Sequence, residues 1–123
     1  MSLAVRQEFI PLNAPFVISG YTFTDLTVVV ARLEDGSLAG EGEAAGVYYL
    51  DDDAAAMTAA IESVRSEVER GADREALRTL LPPGGARNAL DCALWDLSAR
   101  QTRQPVWRLA GLERPDAGEI DVA

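Results

Sequence analysis

Between Pro82-Pro83 and Pro105, apolar residues recur at intervals of three and four: Ala86, Ala89, Leu90, Ala93, Leu94 and Leu97. That spacing lays them along one stripe of a helix running from Ala86 to about Thr102, with Arg87, Asp91, Ser98 and Arg100 around it. The rest of the chain has to cover that stripe.

Upstream the period changes to two. From Ala4 to Leu12 the residues alternate, with Val5, Gln7, Phe9 and Pro11 on one side, which predicts a strand that breaks at Asn13-Ala14-Pro15. A long loop is expected from Asn13 to Thr24. A second strand, Asp25 to Leu33, contains the β-branched run Thr27-Val28-Val29-Val30. Asp35-Gly36 then supplies a tight hairpin turn, because glycine tolerates positive φ, and a third strand runs from Leu38 to about Ala44.

A loop carrying Val47, Tyr48 and Tyr49 leads to Asp51-Asp52-Asp53 and a helix whose face is Met57, Ala60, Ile61, Val64 and Val68, closed by Gly71. A short helix begins at Asp73, carries Leu77, Leu80 and Leu81, and stops at Pro82-Pro83. The fold class is therefore α+β, a three-stranded antiparallel meander followed by three helices. With 123 residues, 48% of them hydrophobic, the chain has the size and composition to bury one core.

Eleven basic residues stand against 20 acidic ones, for a formal charge of −9. Such a chain repels phosphate backbones and anionic lipid, so neither nucleic acid nor a membrane surface is expected as a partner. Every basic residue is arginine; lysine and histidine are absent. Arginine stays protonated, so a general base here would have to be a carboxylate, a tyrosine or Cys92. Cys92 is the single cysteine, which excludes an intrachain disulfide and a Cys/His metal site built from one chain. A cytoplasmic location is expected, since the N-terminus lacks a basic and apolar leader pattern.

Several motifs invite a chemical reading and yield to a structural one. Gly40-x-Gly42-x-x-x-Gly46 resembles a dinucleotide loop, but it ends a hairpin strand, no helix starts directly after it, and Glu41 and Glu43 would meet a pyrophosphate with like charge. Asp51 to Asp53 lack the spaced ligands of a cation site and are expected to cap a helix. Asp91 and Asp96 are five apart and so do not share a helix face, whereas Asp96 and Arg100 form an i,i+4 ion pair. Cys92 is expected to be a buried, inert thiol, and Trp95 and Trp107 to be core packing residues.

The two loops differ from ordinary ones. They hold Phe16, Ile18, Tyr21 and Phe23 in the first, and Val47, Tyr48 and Tyr49 in the second. Exposed apolar clusters of this kind mark something they cover or bind, which makes these seven the candidate binding residues.

Two stretches carry a family resemblance. Gly85-Ala-Arg-Asn-Ala-Leu-Asp-Cys-Ala-Leu-Trp-Asp-Leu-Ser-Ala-Arg100, followed by Gln104-Pro-Val-Trp-Arg-Leu-Ala-Gly111, resembles the A-x-x-A-[IL]-[DE]-x-A-L-[WY]-D-L helix and P-[VL]-[YW]-x-L-L-G tail of the enolase superfamily, in the mandelate racemase and muconate lactonizing enzyme group. Asp35-Gly36 with Gly40-x-Gly42-Glu43-Ala44 is similar to the hairpin of that group's N-terminal capping domain. Ala110 and Leu112 depart from the tail pattern, where leucine and a second glycine are common.

The resemblance implies a capping domain over residues 1–118, packed on the open end of a (β/α)8 barrel whose first strand opens at 119–123 and is cut off there. It implies that Asn13 to Thr24 and Ala45 to Asp52 close over the substrate. The barrel is expected to supply both the Mg²⁺ ligands and the bases that remove the proton α to a carboxylate, through an enediolate. These residues themselves would carry no catalytic group and no metal ligand, and alone would be inactive.

Ile10-Pro-Leu-Asn-Ala-Pro-Phe16 is similar to the corresponding segment of dipeptide epimerases and of muconate cycloisomerase relatives. The expected partners are a small carboxylate substrate such as a dipeptide, the chain's own barrel, and further copies in a homo-oligomer. The resemblance implies a basic residue in the first loop of members that act on acidic dipeptides; no arginine or lysine lies between Asn13 and Ala31, so a small or apolar substrate side chain is expected at that contact and an acidic one disfavoured. Muconate cycloisomerase chemistry, N-acylamino acid racemase chemistry and a non-catalytic protein-interaction module are the alternatives.

Overall fold

The structure is a computed structural model that describes residues 1–115. The expected barrel strand at 119–123, and the boundary before it, lie outside the described residues. Three strands, β1 (Ser2–Ile18), β2 (Tyr21–Asp35) and β3 (Leu38–Ala44), form one antiparallel sheet in the order β1-β2-β3. The helical segments α1 (Ala54–Ser63), α2 (Arg65–Glu69), α3 (Arg74–Leu80), α4 (Gly85–Thr102) and α5 (Val106–Leu109) follow. The expected α+β meander is present. Among the described residues no helix is long and apolar enough to cross a membrane.

The core lies between one face of the sheet and the helices. Leu3, Val29, Ala31 and Leu33 come from the sheet, Met57 and Ile61 from α1, Leu77 from α3, and the whole α4 stripe from Ala86 to Leu97. Each large apolar side chain buried there stabilises by about 2 kcal/mol. The opposite face is charged. Arg6 pairs with Glu8 and Glu41, and Arg32 with Glu34 and Glu41, at 2.8–3.3 Å. Val28 and Val30 point to this side by alternation, yet stay buried between those long side chains.

Gly40 and Gly42 explain how α4 lies on β3. A Cβ on Gly42 would come within 2.0 Å of the Ala89 carbonyl oxygen, and one on Gly40 within 2.3 Å of the Leu97 amide nitrogen. The glycine pair thus allows backbone-to-backbone approach against the alanines of α4. That role accounts for the G-x-G spacing without a nucleotide.

The Asn13 to Thr24 segment is not a loop. β1 and β2 continue as a hairpin that turns at Ser19-Gly20, with Gly20 at φ 71°. The register slips between Pro11 and Phe16, so Pro11 and Pro15 flank an irregularity on an edge strand, where a missing ladder N–H is tolerated. The prolines read as a break, but the β-branched and aromatic residues beyond them resume the pairing.

The first expected helix is two. Val64 leaves helical geometry at φ −113°, ψ 10°, and the chain restarts as α2. The new direction brings Glu69 to the Leu3 N–H and Arg65 to the Leu3 carbonyl, which satisfies part of the outer edge of β1. Asp53 and Asp73 cap α1 and α3 through hydrogen bonds from Ala56 and Ala76 at 2.8 Å.

Other expectations need correction. Cys92 is exposed rather than buried, because it sits on the flank of α4 away from the leucines. Partial burial of its sulfur, then the Asp91 charge, pushes its thiol up and keeps it protonated. Trp95 and Trp107 are half-buried, not core. Trp95 carries the Arg74 guanidinium 3.6 Å over its ring, and Trp107 lies in α5 beneath Arg108. The Asp96 and Arg100 pair forms as expected at 3.4 Å, and Asp96 also accepts the Glu41 N–H at 2.9 Å.

Candidate functional site

The far end of the β1/β2 hairpin places four of the seven candidate residues on one side. Phe16 is paired with Phe23 and Ile18 with Tyr21, and directly opposed residues in an antiparallel pair present their side chains to the same face. The Phe16 and Phe23 ring centroids lie 6.3 Å apart, and those of Tyr21 and Phe23 4.8 Å.

The segment after β3 meets this face. Tyr48 packs on Tyr21 at 4.5 Å and edge-on against Phe23 at 5.3 Å, and Tyr49 stands edge-on to Tyr48 at 5.1 Å. Five rings distant in sequence become one aromatic chain. Such offset and edge-on contacts are worth about 0.5–1.5 kcal/mol each beyond burial. Tyr21 and Tyr48 remain 45% exposed and Tyr49 71%, so the cluster is still open to a further occupant.

The remaining two of the seven are aliphatic. Ile18 borders the cluster through its partner Tyr21. Val47 lies instead along a cavity of about 380 Å³ with Ala44, Gly46, Asp52, Gly85 and Asn88.

The loop from 45 to 52 is held at its base. Gly46, at φ 76°, lies against the Asp52 carbonyl so closely that a Cβ there would come within 1.8 Å of it, and the Leu50 N–H donates to the Val47 carbonyl at 3.1 Å. The Asp52 carboxylate accepts the Gly85 N–H at 2.8 Å and so serves the first turn of α4. Tyr48 is thereby carried on a loop that is pinned to the principal helix.

Sequence reading missed a neighbouring feature. An apolar cavity of about 410 Å³, lined by Leu12, Asn13, Ala14, Phe16, Phe23 and Leu26, opens beside the register slip. Leu12 and Leu26 could have been found only from the strand pairing, because their own segments look like ordinary alternating sequence.

The cluster offers ring faces and the hydroxyls of Tyr21, Tyr48 and Tyr49, which suits it to covering apolar surface and to hydrogen bonding. Mg²⁺ does not fit the nearby Asp51 to Asp53 run, because Asp52 and Asp53 are spent on the N-termini of α4 and α1. Among the described residues no group of three or more His, Cys, Asp or Glu side chains is gathered around a common point.

Comparisons with known proteins give a consistent picture. The model of the family described as mandelate racemase / muconate lactonizing enzyme, N-terminal domain, matches residues 1–111. An L-Ala-D/L-Glu epimerase of Escherichia coli (strain K12) is 41% identical over 115 residues, covering 94% of this chain and 36% of that protein. An enolase family member from Agrobacterium tumefaciens with homology to dipeptide epimerases, solved with sodium and L-Ala-L-Glu, superposes with a TM-score of 0.85 at 34% identity. That match covers 90% of this chain and 34% of the other. The dipeptide epimerase of Methylococcus capsulatus, solved with Mg and L-Arg-D-Lys, is similar at 25% identity and a TM-score of 0.75, over 89% of this chain and 34% of the other. This chain thus spans about a third of the length of the relatives it matches.

Proposed function

The chain belongs to the mandelate racemase / muconate lactonizing enzyme family, and from that premise we propose that it is the substrate-facing lid of a dipeptide epimerase. In this reading Tyr21, Phe23 and Tyr48, with Phe16 and Tyr49 beside them, cover the bound dipeptide. The proton transfer at the α-carbon and the Mg²⁺ that supports it belong to the barrel domain of the same protein, not to these residues. The observation that carries the reading is the contact of Tyr21 with Tyr48 at 4.5 Å, which joins two separate segments into one open aromatic wall. The family and the named relatives supply the reaction class.

The relatives named for glutamate or solved with L-Ala-L-Glu weigh against the expectation that acidic dipeptides are disfavoured. We narrow that expectation. The small or apolar residue of the dipeptide faces the aromatic wall, and a side-chain carboxylate is met by a cation outside Asn13 to Ala31, where no arginine is available.

A chimera tests the proposal, with this chain replacing the matched segment of the Escherichia coli relative. The chimera should exchange the α-proton of L-Ala-L-Glu in D2O, and the 123-residue chain with Mg²⁺ should not exceed background. Tyr21→Ala and Tyr48→Ala in the chimera should each raise KM several-fold. Exchange by the chain alone would refute the division of labour. Unchanged KM in both variants would refute the lid.

A further inference from the structure

Outside the aromatic wall, α3 and α4 border an open cavity of about 480 Å³ lined by Arg74, Arg78 and Arg87, with Leu77 and Pro83 among the remaining walls. Among the described residues Asp91 is the one carboxylate in that lining. Three positive charges against one make this cavity electropositive in a chain whose net charge is −9.

The three guanidiniums are not equally engaged. Arg74 is committed, since it pairs with Asp91 at 3.0 Å and stacks over Trp95 at 3.6 Å. Arg78 reaches Glu75 only at 3.4 Å, with both side chains largely exposed, an arrangement that binds weakly and yields to a competitor. Arg87 has no carboxylate partner among the described residues. Its Nη1 donates to the Leu81 carbonyl at 3.4 Å, which orients the side chain without neutralising it.

Partial burial singles Arg87 out among the unpaired arginines. Arg70, Arg103, Arg108 and Arg114 also have no carboxylate partner among the described residues, but all four are exposed to water, whereas Arg87 is half-buried. A partly desolvated cation without a counter-ion is costly, and an incoming anion offsets that cost. The planar fork of arginine matches the paired oxygens of a carboxylate or phosphate.

We propose that the cavity between α3 and α4 binds a small oxyanion, a carboxylate or phosphate group held between Arg87 and Arg78, with Arg74 fixed behind them by Asp91 and Trp95. This site is separate from the aromatic wall and does not depend on the lid reading.

The test follows the arginine Nε–Hε resonances of the chain by NMR while inorganic phosphate or succinate is added at constant ionic strength kept with sodium chloride. Arg87 and Arg78 should shift saturably and Arg103 should not move. Arg87→Gln should weaken binding at least tenfold, Arg78→Gln several-fold, and Arg103→Gln not at all. Arg78 is exposed, so its variant keeps the test valid if Arg87→Gln disturbs the fold. Saturation by phosphate alone assigns a phosphate ligand, by succinate alone a carboxylate, and by both a general oxyanion site. Absence of a saturable shift with either anion, or equal affinity in Arg78→Gln and Arg87→Gln, would overturn the proposal.

Discussion

The carboxylate of Asp52 accepts a hydrogen bond from the backbone N–H of Gly85 at 2.8 Å, across 33 positions of sequence. One contact thereby satisfies a free donor at the start of α4 and anchors the loop that carries Tyr48. Asp52→Ala should lower stability by about 1–2 kcal/mol, the range for a lost cap or charge-assisted hydrogen bond. Asp52→Asn keeps an acceptor oxygen and should lose less. Urea denaturation midpoints of the two variants check the order.

Two glycines, Gly42 in β3 and Gly20 in the β1/β2 turn, should respond differently to the same substitution. Gly42→Ala drives a Cβ to within 2.0 Å of the Ala89 carbonyl and forces β3 away from α4, so a loss of about 3 kcal/mol or more is expected. Gly20→Ala meets nothing within 4 Å and faces only the strain of φ 71°, costing about 1 kcal/mol. Thermal unfolding of both proteins gives the comparison. Equal losses would show that helix and strand do not approach as closely as described.

Glu41 sets an acid limit. Hydrogen bonds from Arg6 and then Arg32 hold its carboxyl below the usual glutamate range. A depressed folded-state pKa contributes stability that is present above the ordinary carboxylate range and disappears as pH falls through the folded value. Glu41→Gln should therefore flatten the fall in stability between about pH 5 and pH 2, while leaving its slope near neutrality unchanged. Denaturation curves collected across that interval, with the wild-type chain beside the variant, read the difference.

The aromatic wall predicts coupling between residues that sequence separates by 27 positions, Tyr21 and Tyr48. In a double-mutant cycle with Tyr21→Ala and Tyr48→Ala, a coupling of about 0.5–1 kcal/mol is expected, the low end for aromatic pairs because both rings are partly in water. Strict additivity of the two losses would mean that the two segments are not joined.

The α4 stripe was legible because every member from Ala86 to Leu97 obeys one local period and all are buried as that period requires. Asp53 and Asp73 were legible as caps for the same reason, since a cap acts on N–H groups three residues away. Cys92 and Trp95 were misjudged because burial on a helix flank depends on what the neighbouring element brings there; for Trp95 that element is α3, with Arg74. The Asn13 to Thr24 segment was misread because two prolines outweighed a strand-forming composition, and only the partner strand shows that Phe16 resumes pairing with Phe23.

Sequence alone determined that three strands precede the helices, the turn at Asp35-Gly36, the main apolar face and the absence of lysine and histidine, because each is a property of adjacent residues or of composition. Tertiary structure decided that Gly40 and Gly42 seat a strand on a helix, that Asp52 serves α4, that Tyr48 closes on Tyr21, and that Arg87 lies half-buried with no carboxylate partner among the described residues. Those relationships span many residues of chain and depend on distances of a few ångströms. A local pattern carries no such distance; it is fixed only once the packed layers bring the segments together.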